Sequence, residues 1–437
     1  MIDQDFAPSR GTQRRRMRWP TAIIFAAALV YGLAPAAWAD NALTLPEALE
    51  RTLEHNPELR VFDWREEVLA GRRQLADRAP GFALGVEAEN LLGTGDFSGL
   101  DELELAVSLS SVIELGDKRR NRTRVVDSRL EQLDAEEQAR ALDVLGEVTQ
   151  RFISTLALQE KLTIELDAVA LAETNLALVT ERVDRGAAPS AERLRAEAAL
   201  ARSRLGVAAI RAEHAGRLAE ISAFWGEPRP AFGRLAGDLY RSAPVGDFEA
   251  LDRRIESTPA IERFASTARV RDAELALAQS RSSADIRWHV GARHHRARGD
   301  TALTAGFSIP LFAGSRNRGN LASARAAREM VTAEERSAVT RLRARVHGAW
   351  QAHAQAREAV DTLQSEVIPA LTEALEQTRL AYERGRYSYL DWTAAQRELL
   401  EARRALADAA AEALLNQALI ERLTAQSLAE GRERVQP

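Results

Sequence analysis

Apolar residues recur at three- and four-residue steps over two very long stretches of the chain, a spacing that puts them on one face of an α-helix. The first stretch runs from Asp117 to Arg185 without a proline, and its apolar positions include Leu142, Leu145, Val148, Phe152 and Leu156. The second runs from Asn317 to Arg384 and contains Pro369, which predicts a kink. At 1.5 Å per residue each helix would be roughly 100 Å long. Periodic helices of this length are typical of coiled coils.

Four shorter segments alternate apolar and polar residues with a period of two, which predicts β-strands. They form two pairs, at 82–89 with 103–110 and at 286–291 with 303–309. Each has about the length of a tilted strand that crosses a bilayer. The alternation predicts one face toward lipid and one toward a lumen. The predicted lipid face holds Leu105, Val107, Leu109, Trp288 and Phe307, and the predicted lumenal face holds Glu104, Arg287 and His289.

A half-buried sheet in a soluble protein would show the same alternation. Here the two strand pairs are separated by about 170 residues of helical pattern. Four strands cannot close a barrel, and lipid does not tolerate an open sheet edge, so several chains would have to combine their strands. Three chains would supply twelve strands, an even number within the usual range for bacterial barrels.

Shorter helices accompany the long ones. Two are predicted to return from them, over Ser190–Trp225 and Ser388–Gln426, and two to precede the strands, over Leu45–Ala79 and Phe248–Ser283. Asn56-Pro57 marks a break in the first pre-strand helix. The returning helices have roughly half the length of their partners. We therefore expect the pre-strand helices to fill the remaining length by stacking end to end on them.

The same order of elements occurs twice, and related motifs keep a constant distance. Gly116 in Leu-Gly-Asp matches Gly314 in Ala-Gly-Ser 198 residues later, and Gly186 matches Gly385 199 residues later. A solenoid has a much shorter period, of about 20–50 residues, so a duplicated half is the better interpretation. The predicted division is a first repeat over 40–245 and a second repeat over 246–437.

Residues 1–39 have the pattern of a secretory signal segment. An arginine-rich stretch precedes an apolar core at 21–33, and Ala37-Trp38-Ala39 forms a small-x-small cleavage site before Asp40. The apolar core has 13 residues, fewer than the ~20 that a spanning helix needs. We therefore expect cleavage rather than anchoring. The chain has no cysteine, which excludes disulfides, thiolate metal sites and lipid attachment through a cysteine.

Charge and motif content narrow the function further. The formal net charge is −5 and the remainder after residue 39 is more acidic still, which argues against a nucleic-acid partner. No later stretch approaches 18 consecutive apolar residues, which excludes a helical inner-membrane protein. We find no nucleophile–base pattern, phosphate loop or zinc motif, so neither an enzyme nor a resident cofactor is predicted. His294 and His295 would point to opposite faces of a strand, which argues against a shared metal.

The order of elements, the duplication and several motifs together resemble the TolC-like outer-membrane factor family, over essentially the whole chain after residue 39. Glu87-Ala88-Glu89-Asn90, Glu104 and the run Val112–Arg119 are similar to the heavy-metal-efflux, CzcC-like branch of that family. Members of the branch carry a Glu-Leu-Gly-Gly-Lys-Arg run. In this chain Asp117 stands in place of the second glycine.

The resemblance implies a fold that is mainly α with a small β part. Three chains would form a twelve-stranded membrane β-barrel, four strands per chain, continued by a long periplasmic α-helical coiled-coil barrel. Such a homotrimer is the outer-membrane channel of a tripartite efflux system, and the branch implies passive conduction of divalent heavy-metal cations. The implied partners are a periplasmic adaptor (membrane fusion protein), an inner-membrane pump of the resistance-nodulation-division type, and outer-membrane lipid.

The resemblance also assigns roles at the periplasmic tip. Tyr382, Asp391 and Glu192 match family residues that close the tip as a gate. Ala394 stands where a second gate aspartate can occur, and Tyr387 where a bonding arginine can occur, so the latch departs from the family pattern. The helix turns would contact the adaptor through Gly186, Gly385, Arg185 and Arg384.

Two other functions fit parts of this pattern. A type I protein-secretion duct or a multidrug duct would have the same fold, and only the partner pump would separate them. A periplasmic coiled-coil adaptor would also contain long helices. Adaptors have one helical hairpin and soluble β domains, whereas this chain has two hairpins and paired strands of membrane length.

Overall fold

A computed structural model describes residues 42–90 and 92–425. The predicted signal segment lies outside these residues. The described chain is mainly helical with a small β part, as predicted. Its first half contains β1 (Ala42–Thr44), α1 (Leu45–His55), α2 (Pro57–Ala76), β2 (Ala83–Glu89), β3 (Glu104–Ile113), α3 (Lys118–Asp184) and α4 (Ser190–Ala223).

The second half repeats this order. It contains β4 (Arg234–Ala236), α5 (Phe248–Ile255), α6 (Pro259–Ser280), β5 (Ile286–His295), β6 (Asp300–Ser308), α7 (Ala313–Arg316), α8 (Arg318–Thr362), α9 (Ile368–Glu383) and α10 (Tyr389–Leu423). Within the described residues, no helix combines the length and the apolar character needed to cross a membrane.

The two long helices differ in continuity. The first, α3, runs for 67 residues without a break. Its counterpart is divided into α8 and α9 by a π-helical turn at Leu363–Val367. Pro369 follows this turn and has no N–H to donate, so the carbonyl four residues earlier lacks its α-helical partner and the backbone widens locally. The predicted interruption at Pro369 is therefore present, in the form of a π turn.

In the first half, the short helices stack end to end as expected. Asn56 caps the start of α2 by accepting hydrogen bonds from the backbone N–H groups of Glu58 and Leu59. The Nδ2 of the same side chain donates to the carbonyl of Phe224, at the end of α4, over 2.8 Å. One asparagine thus joins the end of the returning helix to the start of the pre-strand helix, and both lie along α3.

The prediction of a single helix over Phe248–Ser283 was wrong, because this segment forms two helices, α5 and α6. Pro259 occupies the first turn of α6 and cannot donate to the carbonyl of Ile255. The hydroxyl of Thr258 donates to that carbonyl instead, over 2.8 Å. Thr258, directly before the proline, is extended, and this break separates α5 from α6.

The larger sheet is antiparallel, with strand order β2–β3–β5–β6. Its register places Val107 opposite Val86 and Ala292, and Trp288 opposite Phe307. Directly opposed residues share a face of the sheet. The predicted apolar set therefore lies on one face, and Glu104, Arg287 and His289 lie on the other. Among the described residues, β2 and β6 each have a neighbouring strand on one side only.

A second, parallel sheet of two strands was not predicted. It pairs β1 with β4, and so ties the start of the described chain to the segment between the halves. Leu43 and Leu235 pack with Val148, Phe152 and Ile221 of the long and returning helices in the largest apolar cluster. Strands of three residues are too short for an alternating pattern, which is why the sequence did not reveal them.

Candidate functional site

The two turns at the free ends of the helical hairpins have the same geometry. Gly186 and Gly385 adopt left-handed φ angles of +71° and +72°, which glycine reaches without a Cβ clash. In the first turn Ala187 N donates to Arg182 O over 2.8 Å, and in the second Arg386 N donates to Ala381 O over 2.8 Å. These bonds close the preceding helices in Schellman turns. The sequence repeat is thus a structural repeat at this end.

The residues assigned to adaptor contact are accessible in the described chain. Gly186 and Gly385 lie exposed at the turns, together with Arg185 and Arg384. Arg185 forms an ion pair with Glu181, one helical turn earlier. Both arginines follow the last turn of a helix, where a cation interacts favourably with the helix dipole. The geometry therefore presents two guanidinium groups at the very end of the hairpins, that of Arg185 paired with Glu181.

Tyr382 lies behind these turns and is almost fully buried, with 2% of its surface exposed. Its hydroxyl donates a 3.1 Å hydrogen bond to Glu192 Oε2. Its ring stacks on Trp392 with centroids 4.9 Å apart and planes at 23°. Tyr389, Val179 and other apolar side chains complete the cluster around it. The structure thus brings together Tyr382 and Glu192, two of the three predicted gate residues.

Arg182 holds the same tyrosine from the other side. Its guanidinium carbon lies 4.5 Å from the centroid of the Tyr382 ring, in cation–π geometry. Its Nη1 donates to the carbonyls of Tyr382 and Glu383 over 2.5 and 3.2 Å. These carbonyls belong to the last turn of α9, beyond the regular hydrogen-bond ladder of the helix, and that of Tyr382 also accepts from Gly385 N over 2.9 Å. Arg182 therefore joins the end of α3 to the end of α9.

The pKa of Tyr382 is raised to about 12, mainly because burial disfavours the phenolate and also because the phenol donates to the carboxylate of Glu192. The hydroxyl therefore stays protonated and remains a donor at every physiological pH. Glu192 is half-buried at the third position of α4. This link is a neutral-to-charged hydrogen bond between the two hairpins.

Asp391, the third predicted gate residue, is not part of this cluster. It is exposed at the third position of α10 and forms a capping box with Ser388. Ser388 N donates to Asp391 Oδ2 over 3.0 Å, and Asp391 N donates to Ser388 Oγ over 3.3 Å. These bonds to Ser388 lower the pKa of the aspartate. Asp391 therefore carries a negative charge at the helix start, apart from Tyr382.

Sequence reasoning missed Arg182 and Trp392. Tyr382, Tyr389 and Trp392 are separated by seven and three residues, a spacing that places aromatic rings on facing sides of a hairpin and could have indicated the cluster. Arg182 gave no signal, because a single arginine among alternating charges is usually a solvated residue and its targets here are backbone carbonyls.

The motif that carries the branch resemblance forms a joint between sheet and helices. Lys118 Nζ donates to Asp285 Oδ1 over 2.6 Å, and Leu115 N donates to the same oxygen over 3.1 Å, so the first half is tied to the second. Gly116 and Asp117 both have positive φ angles, +76° and +58°. Aspartate tolerates this left-handed conformation better than most residues, which explains how it replaces a glycine. Arg122 forms an ion pair with Glu114 beside this joint.

Among the described residues, no group of three or more histidine, aspartate or glutamate side chains is placed to hold a metal ion. His294 and His295 lie in adjacent rows on opposite faces of β5. His294 Nδ1 lies 3.1 Å from the hydroxyl of Thr301, and His295 Nδ1 lies 3.3 Å from Glu104 Oε1. The adjacent histidines therefore have separate partners.

Two long helical hairpins joined to a four-stranded sheet define a channel subunit of the outer-membrane efflux class. The sequence profile of the outer membrane efflux protein family matches residues 48–227 and 262–426, and the chain belongs to this family. It is 27% identical over 297 residues to the cobalt-zinc-cadmium resistance protein CzcC of Cupriavidus metallidurans, a match that covers 67% of this chain and 70% of CzcC.

Solved structures show the same fold. CusC superimposes with a TM-score of 0.72 at 16% identity, over 90% of this chain and 95% of CusC. A membrane protein from Pseudomonas aeruginosa superimposes with a TM-score of 0.71 at 19% identity, over 91% of this chain and 99% of its own. The fold is therefore TolC-like, and the protein is an efflux channel component rather than an enzyme.

Proposed function

We propose that three copies of this chain form the outer-membrane duct of a tripartite efflux system that exports divalent heavy-metal cations. A periplasmic adaptor and an inner-membrane pump of the resistance-nodulation-division type would supply the substrate and the energy. The helical part would lie in the periplasm and the sheet in the outer membrane. The observation that carries the proposal is that, in the described part of the chain, both edge strands of the larger sheet lack a partner on their outer side.

Within the described residues, the sheet is unpaired at β2 and β6, and the helical layer exposes apolar side chains on α2. A strand edge in lipid leaves backbone N–H and C=O groups without partners, at a cost of several kcal/mol for each group. Pairing β2 of one copy with β6 of the next would remove both edges. On α2, the side facing away from α3 carries a stripe of exposed apolar side chains at Val61, Trp64, Val68 and Leu75. A neighbouring copy would cover this stripe as well.

The two faces of the sheet support its place in a membrane. Phe307 and Leu303 on the apolar face are 74% and 89% exposed in the single chain, a large unfavourable area in water. Around a closed barrel this face would contact lipid, and the face with Glu104, Arg287 and His289 would line the lumen.

At the other end, the tip would form the gate and the adaptor contact. The hydrogen bond from Tyr382 to Glu192 and the contacts of Arg182 with Tyr382 tie the two hairpins of one copy together, so breaking the Tyr382–Glu192 bond would weaken this connection at the tip. Asp391, exposed at the start of α10, would approach the axis and add a ring of three negative charges. The adaptor would contact the turns through Gly186, Gly385, Arg185 and Arg384.

The metal substrate rests on the similarity to CzcC, whose name records resistance to cobalt, zinc and cadmium. The test is complementation of a Gram-negative host that lacks its own outer-membrane metal-efflux channel but retains the adaptor and pump. We expect this chain to restore growth on zinc, cobalt or cadmium and to lower the cellular metal content. Restored export of drugs or of a secreted protein, with no change in metal content, would support the duct and reject its metal substrate. Absence of any trimeric pore would reject the function.

A further inference from the structure

Charged side chains on the polar face of the sheet are concentrated in two rows at one end. In the last row, Glu89, Glu104, His295 and Asp300 lie directly opposite one another across all four strands. This end carries both hairpin connections, β2 to β3 and β5 to β6. It is the end farthest from the helices, and therefore from the tip.

The next row contains one more carboxylate and the cation of the cluster. Glu87, Ala106, Arg293 and Ala302 lie opposite one another there. Arg293 Nη1 reaches forward to Glu89 Oε2 over 3.0 Å and to Glu104 Oε2 over 2.9 Å. A single guanidinium thus bridges carboxylates from two neighbouring strands.

Glu104 has further contacts. Its Oε1 accepts a 3.1 Å hydrogen bond from Asn90 Nδ2 and lies 3.3 Å from His295 Nδ1. The carboxylate is therefore held in place by the protein, with both oxygens engaged. Such a fixed group acts on passing ions through its field rather than by taking an ion as a ligand.

The row behind these two is uncharged. Gly85, Ser108, Gly291 and Thr304 lie opposite one another across the sheet. Their side chains are small and contribute no charge. The carboxylates of the polar face are thus confined to the end that carries the hairpin connections, whereas Arg287 lies at the opposite end, near the helices.

Like charges directly opposite on neighbouring strands destabilise a sheet. Arg293 offsets the Glu89–Glu104 pair, but four carboxylates face one guanidinium in the two rows, so the end keeps an excess of negative charge.

We propose that Arg293 and the carboxylates of these two rows determine the charge selectivity of the channel exit. The inference rests on the proposed trimer, in which three copies would surround one mouth. Carboxylates on low-dielectric walls attract cations and repel anions over about 8 Å at physiological salt. Glu89, Glu104 and Asp300 favour cations, and Arg293 limits the strength of the filter. This filter would lie at the opposite end of the duct from Asp391 and would act independently of the tip.

The test is the reversal potential of the purified trimer in planar bilayers under a KCl gradient. The wild-type channel should prefer K⁺ over Cl⁻. The triple variant E89Q/E104Q/D300N keeps the side-chain shapes and should lower the permeability ratio severalfold toward unity. R293Q should raise the ratio. The control E50Q removes an exposed carboxylate on α1, outside the four-stranded sheet, and should leave the ratio of K⁺ to Cl⁻ permeability unchanged.

A triple variant that conducts with the wild-type reversal potential would overturn the proposal. If the triple variant does not assemble, the three single substitutions replace it, and each must shift the ratio in the same direction; no shift in all three rejects the filter. These outcomes are distinct from failure of the proposed function, in which the wild-type protein would form no pore.

Discussion

The hydroxyl of Tyr382 donates its 3.1 Å hydrogen bond to Glu192 and not to Asp391, the acid that matches Glu192 in the other repeat 199 residues later. Both acids occupy the third position of a returning helix. Ser388 precedes Asp391 and captures its carboxylate in a capping box. Pro189 stands at the equivalent place before Glu192 and offers neither a hydroxyl nor an N–H. The carboxylate of Glu192 therefore remains available to the tyrosine of the other hairpin.

Replacing Tyr382 by phenylalanine should remove the hydrogen bond from its hydroxyl to Glu192 and retain the stacking of the ring on Trp392. A single hydrogen bond of this kind contributes about 0.5–1.5 kcal/mol. We expect an intact trimer with a higher mean conductance in planar bilayers. Tyr387→Phe is the matched control, because Tyr387 is exposed at the same tip. Equal conductance in the two variants would show that the bond does not restrain the tip.

The same bond should depend on pH only in the alkaline range. The pKa of Tyr382 is raised from its usual 10 to about 12, so the folded protein keeps a proton that the unfolded chain loses. Stability from this group is therefore complete below pH 10 and is lost as the pH rises toward 12. Thermal unfolding of the wild type and Tyr382→Phe should differ at pH 9 and converge above pH 12. A constant difference across this range would contradict the assignment.

Asp391→Ala should weaken the block of the purified channel by divalent cations while leaving trimer yield unchanged. In the proposed trimer, three exposed Asp391 carboxylates would attract divalent ions at one mouth, and the lowered pKa of Asp391 would keep them charged at neutral pH. Ser388→Ala serves as the control, because it breaks the capping box and keeps the charge. Cation block identical to the wild type in Asp391→Ala would remove this residue from the gate.

The two faces of the sheet should respond differently to substitution. Leu105→Arg places a charge on the predicted lipid face and should cost about 2–4 kcal/mol of barrel stability. His289→Ala removes a ring from the polar face, where Gly306 lies beneath it, and should cost little. The temperature at which the folded trimer band disappears on a gel measures the stability of each variant. Equal losses for the two variants would indicate a soluble sheet.

Trp64→Lys should impair assembly of the trimer without unfolding the chain. Trp64 is 68% exposed in the single chain and lies in the apolar stripe of α2, which we expect a neighbouring copy to cover. Trp64→Phe keeps an apolar contact and is the control. Analytical ultracentrifugation in detergent distinguishes monomer from trimer. A full yield of trimers from Trp64→Lys would place this stripe outside the interface.

The sequence predicted the long elements well because their periodic signal is long. The helix expected from Asp117 to Arg185 spans Lys118–Asp184. Elements set by one side chain were missed. The break between α5 and α6 falls at Thr258-Pro259, a signal of the same kind as Asn56-Pro57, but no hydrophobic pattern marks the bond from the hydroxyl of Thr258 to the carbonyl of Ile255.

The site was only partly predictable. Tyr382 and Glu192 came from the resemblance, and the structure places them in contact. The Ser388-x-x-Asp391 pattern is a capping signature visible in the sequence, and it could have separated Asp391 from Glu192 in advance. The role of Arg182 could not have been predicted from the sequence, because it depends on two backbone carbonyls at the end of a helix 200 residues away in the chain.

The π turn at Leu363–Val367 makes the two repeats mechanically unequal. In the first repeat, α3 is a continuous rod, and a load applied at one end is transmitted to the other. In the second repeat the long helix is divided by the π turn, where the regular α-helical hydrogen bonds are already interrupted and bending costs least. A sideways force on the tip would therefore bend the second long helix at this turn, where α9 begins, before it bends α3. The duplicated sequence has in this way produced one stiff long helix and one long helix that can bend at a defined turn.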